Sequence, residues 1–197
     1  MSGVALHAPD ALRVLLLLGL AAHKGLWEVL KRRAGAPPAM ALPVSPDIRL
    51  IKLAKVAVLA FLVTQTLCLE ILPIARDPGT LRAVGAGIFV VGLATAMSAR
   101  VQLGRNWADL EDARVLPTQA VVEHGIYRYI RHPIYTGDLV LLAGLELSLN
   151  SWLVLGVALL AAVVVRRALA EEALLAQRLA GYRAYCARTK RFIPFVA

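Results

Sequence analysis

The residues best suited to chemistry in this 197-residue chain fall into two clusters. The first is Gly125-Ile126-Tyr127-Arg128-Tyr129-Ile130-Arg131-His132-Pro133-Ile134-Tyr135-Thr136-Gly137, which packs cations, aromatics, a histidine and a proline between two apolar regions. The second runs from Arg166-Arg167 and Glu171-Glu172 through Tyr182 and Tyr185 to Arg191-Phe192-Ile193-Pro194. Arg131-His132-Pro133 reads as a helix start. Proline at the first turn has no N–H to lose, and the freed amides of that turn, with Arg131 beside them, suit a carboxylate or other anion. Tyr127, Tyr129 and Tyr135 offer flat faces to an aromatic ring or a cationic sulfonium. Arg167 and Glu171 lie one helical turn apart, so they face each other. Spacing leaves two readings of this pair open. One is a juxtamembrane salt bridge worth less than about 1 kcal/mol. In the other, Glu171 accepts hydrogen bonds from a ligand amine or ribose while Arg167 holds a substrate carboxylate. The first cluster is likewise either an interfacial Arg/Tyr belt or a ligand site. Polar chemistry this close to a membrane boundary is costly to keep, which favours a working site. Asp138 and Glu146 read as a helix N-terminal charge and a boundary residue. His7, His23 and His124 show no partners and read as structural or surface residues.

Other chemistries lack their signatures. There is no Gly-x-Gly-x-x-Gly after a strand, no phosphate-binding loop, no zinc-spaced His or Cys cluster and no Gly-x-Ser-x-Gly. Cys68 and Cys186 are too far apart in sequence to suggest a disulfide framework or a metal site. The first apolar segment does not read as a signal peptide, because further membrane-length runs follow and no small-residue cleavage pattern closes it. No lipidation box ends the chain. Net charge is +9, but the cations lie between apolar runs and not on one basic face, and no nucleic-acid-binding signature accompanies them.

The elements that must position the clusters are apolar helices. Hydrophobic residues make up 59% of the chain and mean hydropathy is +0.67, too apolar for a soluble domain. The expected fold is an all-α integral membrane protein, a single domain over residues 1–197. About five transmembrane helices are predicted, near 11–30, 51–72, 81–99, 133–149 and 152–168. Ala83 and Gly87 form a small-xxx-small pair suited to close packing in the third. The last two helices form a hairpin, turned and N-capped by Asn150-Ser151. Lys31, Arg32, Arg33, Arg49, Lys52 and Lys55 flank one loop, and Arg100, Arg105, Arg114, Arg128 and Arg131 flank the next on that side. A further seven cations flank or follow the last helix, against only Arg13, Arg76 and Arg82 on the other side. The positive-inside rule then puts the N-terminus outside and the C-terminus in the cytoplasm. The 100–132 segment and the tail after Arg166 share the cytoplasmic face.

Leu103-Gly104-Arg105-Asn106-Trp107, Val121-Val122-Glu123-His124-Gly125-Ile126-Tyr127, Arg131-His132-Pro133-Ile134-Tyr135-Thr136-Gly137, the paired Glu171-Glu172, Tyr182, Tyr185 and Arg191-Phe192-Ile193-Pro194 occur in this order. Together they resemble the isoprenylcysteine carboxyl methyltransferase family, and the likeness covers about residues 81–197. The resemblance implies an integral membrane enzyme that uses S-adenosyl-L-methionine to methylate the carboxylate of a lipidated cysteine. It implies a catalytic region over about 100–197, with the cofactor site on the cytoplasmic side between the 100–135 segment and the C-terminal helix. Gln119, Ala120, Val121, Val122, Tyr127, His132, Pro133, Ile134, Tyr135 and Glu171 would hold the cofactor, and Arg167 the substrate carboxylate. Gln119 stands where a histidine is common in the family, and Asp112 where some members carry an amide.

Three other functions compete. A phospholipid N-methyltransferase shares cofactor and setting, but its amine acceptor must first lose a proton. Membrane sterol reductases, which use NADPH, resemble the chain from Arg131 to Leu139 and in the tail. A non-enzymatic membrane scaffold is the third. The expected partners are membrane lipids and a lipophilic substrate entering from the bilayer, with no nucleic acid.

Overall fold

Apolar segments of this length satisfy their backbone groups most cheaply as helices, because each N–H and C=O is then paired within the segment. The computed structural model describes residues 8–34, 46–68, 71–106 and 120–196. They form α1 (Ala8–Ala34), α2 (Pro46–Cys68), α3 (Gly79–Leu103), α4 (Pro133–Ser148), α5 (Val154–Arg178) and α6 (Tyr182–Arg188), with 3₁₀ turns at Gly104–Asn106 and Gly125–Arg128. The described residues contain no strand, only isolated bridges between Pro73 and Ser151 and between Ile130 and Lys190. The chain is all-α.

Several helix limits differ from those expected. The first runs from Ala8 to Ala34, beyond the expected 11–30 at both ends. The second helix is described to Cys68, and Leu72, its expected end, is outside it with a positive φ of 53°. The fifth runs to Arg178, past the expected end at Ala168. Hydropathy falls off at Arg166-Arg167, but the Ala, Leu, Glu, Gln and Arg residues that follow are strong helix formers, so the helix outlasts its apolar part. Leu153, not Asn150 or Ser151, occupies the N-cap of α5, and the Ser151 hydroxyl accepts from the Leu153 amide at 3.1 Å. Asn150 instead takes φ 55° and stitches the α4–α5 turn to the loop after α2. Its side chain exchanges two 2.9 Å hydrogen bonds with the Ala75 backbone.

The bundle is built on α3 and α4, an antiparallel pair with one fixed register. Gly85 faces Leu147 and Ser148, Phe89 faces Gly144, Gly92 faces Leu141, and Ala96 faces Gly137. The alternating steps of four and three along both helices are the seam of a knobs-into-holes pair. The expected pair of small residues, Ala83 and Gly87, is not this seam: Ala83 is exposed and a Cβ added at Gly87 would meet nothing. α1 packs its Leu16 and Leu20 onto Phe89, Leu141, Leu145 and Leu149. Two polar contacts tie in the first two helices. His23 of α1 meets Asp138 of α4 at 2.9 Å and stacks on Trp27, and Gln65 of α2 donates to the buried Glu146 at 2.8 Å. His23 therefore has partners that the sequence hid, and Glu146 is a buried hydrogen-bonding residue, not a boundary one.

Among the described residues one helical stretch, Gly79–Asn106, is long and apolar enough to cross a bilayer; Leu53–Leu67 is a shorter apolar run. Large apolar side chains also stay exposed along α2, α3 and α5, Leu53, Val91 and Leu159 among them. A surface of this kind needs an apolar surrounding.

Candidate active site

The site lies where the end of α3, the start of α4, the end of α5 and the C-terminal tail converge. The segment before α4 is held from below. The Gln102 side chain accepts from the Ile126 amide at 2.8 Å, and Asn106 accepts from the Ala120 amide at 2.7 Å. Gly125 takes φ 60° directly over Gln102, where a Cβ would collide with that side chain. The tail then returns alongside this segment in parallel. Lys190 N donates to Tyr129 O at 3.0 Å, Arg131 N to Lys190 O at 2.8 Å, and His132 N to Arg191 O at 3.1 Å. Thr136 donates its hydroxyl to Phe192 O, and Tyr185 donates to Tyr127 O at 2.8 Å.

This return brings three donors onto one carboxylate. Glu172 accepts from Arg131 Nε at 2.9 Å, from His132 Nε2 at 3.0 Å, and from Arg191 through Nε and Nη2 at 3.0–3.2 Å. An ionised carboxylate only accepts, so His132 carries its proton on Nε2. Arg131 extends further, donating to the carbonyls of Cys186 and Thr189. The Arg131 and His132 side chains are only 8% and 5% exposed, so this is a buried charge network. Burial opposes ionisation of Glu172, but the hydrogen bonds from His132, Arg191 and Arg131 outweigh it and hold its carboxyl well below the usual range.

A group with a depressed folded pKa contributes stability that is fully present above its unfolded value and is lost as pH falls through the folded one. The clamp should therefore persist through mildly acidic conditions. Thermal unfolding midpoints in detergent should show no clamp-related loss between pH 7 and pH 5. A drop in that window present in the wild type and absent from Glu172→Gln would contradict the network. Burial likewise pushes the phenols of Tyr127, Tyr182 and Tyr185 well above their ordinary values, so all three remain neutral hydroxyls.

The clamp sets out the residues that the sequence singled out. His132 is buried, stacked on Tyr135 at 5.4 Å and close to Phe192. With its ring turned to Glu172, His132 gives α4 no side-chain cap. Tyr135 donates to Glu171 at 2.9 Å, which brings His132, Tyr135 and Glu171 together. Pro133 is buried beneath them, Ile134, Val121 and Val122 are half-buried, and Ala120 is exposed. Tyr127 is buried under α6. Gln119, with Asp112, lies outside the described residues.

Of the two readings left open for Arg167 and Glu171, the salt bridge does not form. Glu171 is taken up by Tyr135, and Arg167 is exposed with no ion pair among the described residues. The residue that sequence reasoning passed over is Glu172. Its signal was present as a second carboxylate beside Glu171, facing two cationic motifs, but adjacency alone gives no reason to choose between the two.

A profile of the phospholipid methyltransferase family matches residues 80–180. The chain belongs to that family. No curated protein matches it in sequence. Among solved structures it is similar to the eukaryotic intramembrane Ras methyltransferase ICMT, isoprenylcysteine carboxyl methyltransferase, with a TM-score of 0.62 and 18% identity. That match covers 92% of this chain and 64% of the other, so this family member spans about two thirds of the length of ICMT and shares its fold. The matched residues 80–180 take in α3, α4 and α5, the helices that carry the α3–α4 seam, Tyr135, Glu171 and Glu172. The family is one of methyltransferases.

Proposed function

We propose that this chain is an integral membrane methyltransferase that uses S-adenosyl-L-methionine to methylate a lipophilic carboxylate, such as that of an isoprenylated cysteine. One observation carries the choice of acceptor. Arg167 has no ion pair among the described residues and lies one turn from a Glu171 that α4 holds through Tyr135. Such a guanidinium suits a carboxylate and would repel an ammonium. A carboxylate is already ionised at neutral pH and needs no general base, so the protein has mainly to position it and exclude water.

The cofactor fits the residues present. Glu171 can accept from a ribose or amine, the uncapped first turn of α4 offers amides to a carboxylate, and Val121, Val122 and Ile134 give apolar walls. When bound, the cofactor supplies an electrophilic sulfonium methyl group. Gln119, Ala120, Tyr127, His132, Pro133 and Tyr135 complete the proposed cofactor set, and Arg167 orients the acceptor. The reading takes 1–197 as a single domain with five spans, the N-terminus outside and the site in the cytoplasm. The lipid chain enters sideways from the bilayer.

The family match and one contact favour a second reading, methylation of a phospholipid amine. His23 is held by Asp138 one turn along α4 from Tyr135, and a histidine oriented by a carboxylate can take the proton that an amine must lose.

Transfer of labelled methyl in mixed micelles separates these readings, with a farnesylated or geranylgeranylated cysteine analogue offered beside phosphatidylethanolamine. Base-released label on the prenylcysteine is expected. Arg167→Ala should lower kcat/KM for it by about 10²-fold, the scale of losing substrate orientation. Glu171→Ala should weaken cofactor binding. Near-normal rates in both variants would overturn the site. Base-stable label on the phospholipid, with a rate rising steeply with pH and lost in His23→Ala, would establish the amine reading instead.

A further inference from the structure

A second polar feature, apart from the residues assigned to the proposed reaction, lies beside α6. Glu123, Arg128, Tyr185, Arg188 and Thr189 line a cavity of about 240 Å³ between the Gly125–Arg128 turn and α6. Its polar groups are unevenly engaged. The Tyr185 hydroxyl is committed to Tyr127 O and the Thr189 hydroxyl to Tyr185 O. Arg188 meets Glu123 at 2.9 Å, but the two side chains are 64% and 45% exposed, so the pair is easily exchanged for another anion. Arg128 has no ion pair among the described residues; its guanidinium lies 5.9 Å over the ring of Tyr129. Two guanidiniums against one carboxylate leave the cavity with one net positive charge. Beside it is an apolar tip. Tyr129 meets Phe195 edge-on, and Phe195 and Val196 are 83% and 72% exposed. An aromatic tip next to a cationic cavity, at the end of the helices, matches the layering of a bilayer surface.

We infer that the cavity between the Gly125–Arg128 turn and α6 binds a phosphate-bearing anion through Arg128 and Arg188, with the Tyr129–Phe195–Val196 tip seated in the adjoining leaflet. The inference rests on the membrane placement proposed above and not on the choice of methyl acceptor. The shared chemistry is a phosphate group, which an anionic phospholipid or a soluble phosphate could supply.

Native mass spectrometry of the full chain in detergent, with phosphatidylglycerol and phosphatidylcholine at equal concentration, tests it. The wild type should retain phosphatidylglycerol at least about tenfold more than Arg128→Gln/Arg188→Gln does, the scale expected of two arginines at an anionic surface. The control Arg105→Gln/Arg183→Gln, which removes the same charge elsewhere, should retain it fully. Displacement of the lipid by millimolar inorganic phosphate would identify the phosphate group alone as the ligand. Persistence of the lipid against phosphate would identify the whole phospholipid. Equal retention by the wild type and the Arg128/Arg188 variant, or equal loss in the control, would overturn the site. Cofactor binding, measured in parallel, should be unchanged in both double variants. The inference can therefore fail while the methyltransferase reading stands, and the reverse.

Discussion

Glu172→Ala should cost the protein about 3–5 kcal/mol of stability and abolish turnover, the largest effect expected of any single substitution at the site. The carboxylate is the common acceptor for Arg131, His132 and Arg191. Its loss would leave one guanidinium and one imidazole buried without their partner. Breaking one side of a buried ion network is worse than never having built it, because the remaining charge stays desolvated. The loss should spread to Glu171. His132 stacks on Tyr135, and Tyr135 holds Glu171, so disordering the clamp removes the support of the proposed cofactor site. The unfolding midpoint in detergent, together with cofactor affinity, measures both effects. Glu172→Gln keeps an acceptor oxygen for part of the network and should fall between the wild type and the alanine variant. A Glu172→Ala protein as stable as the wild type, yet inactive, would instead place Glu172 in direct contact with the reactants. Unchanged stability and activity would mean that the clamp supports nothing.

Gly144→Val should disrupt the α3–α4 pair at its centre. A Cβ at Gly144 would sit 2.6 Å from the Cα of Phe89 and closer still to its amide nitrogen, and backbone cannot rotate away as a side chain can. Overpacking usually costs about 1–3 kcal/mol. Here the two helices must also separate over a seam that includes Gly92 and Gly137, so the upper end or beyond is expected. Gly92→Val should behave alike, since its Cβ would fall 2.6 Å from Leu141 Cα. Gly87→Val is the control. Nothing lies within 4 Å of a Cβ there, and the variant should keep the wild-type midpoint and activity. If Gly87→Val were as damaging as Gly144→Val, the register of the pair would be wrong.

The sequence marked out one polar end of this molecule without fixing its wiring. Apolar runs separated by polar segments imply helices on physical grounds, since backbone groups in an apolar setting must be paired internally. The order of the motifs put His132, Tyr135 and Glu171 in one expected site, and the start of α4 and the end of α5 bring these three side chains into contact. Helix ends were less legible where hydropathy and helix propensity part, as they do after Arg166 in α5. The glycine seam was misassigned for a related reason. Gly85 and Gly87 differ by two residues, about 200° around a helix, and only the position of α4 selects Gly85.

The same limit applies to the paired glutamates. Neighbouring residues on a helix point about 100° apart, so Glu171 and Glu172 cannot share a role. Composition and spacing alone determined the all-helical character, the gathering of cations and aromatics at one end, and the absence of soluble nucleotide and zinc motifs. The family likeness added the expectation of methyl transfer and of its cofactor. Only the tertiary structure decided that Glu172 binds the clamp while Glu171 turns to Tyr135, that Arg167 has no ion pair among the described residues, and that His23 meets Asp138. Those outcomes depend on the rotation of α5 against α4 and on the return of the tail beside Tyr129–His132. Both are set by packing between segments about 40 to 60 residues apart, to which a local pattern is blind.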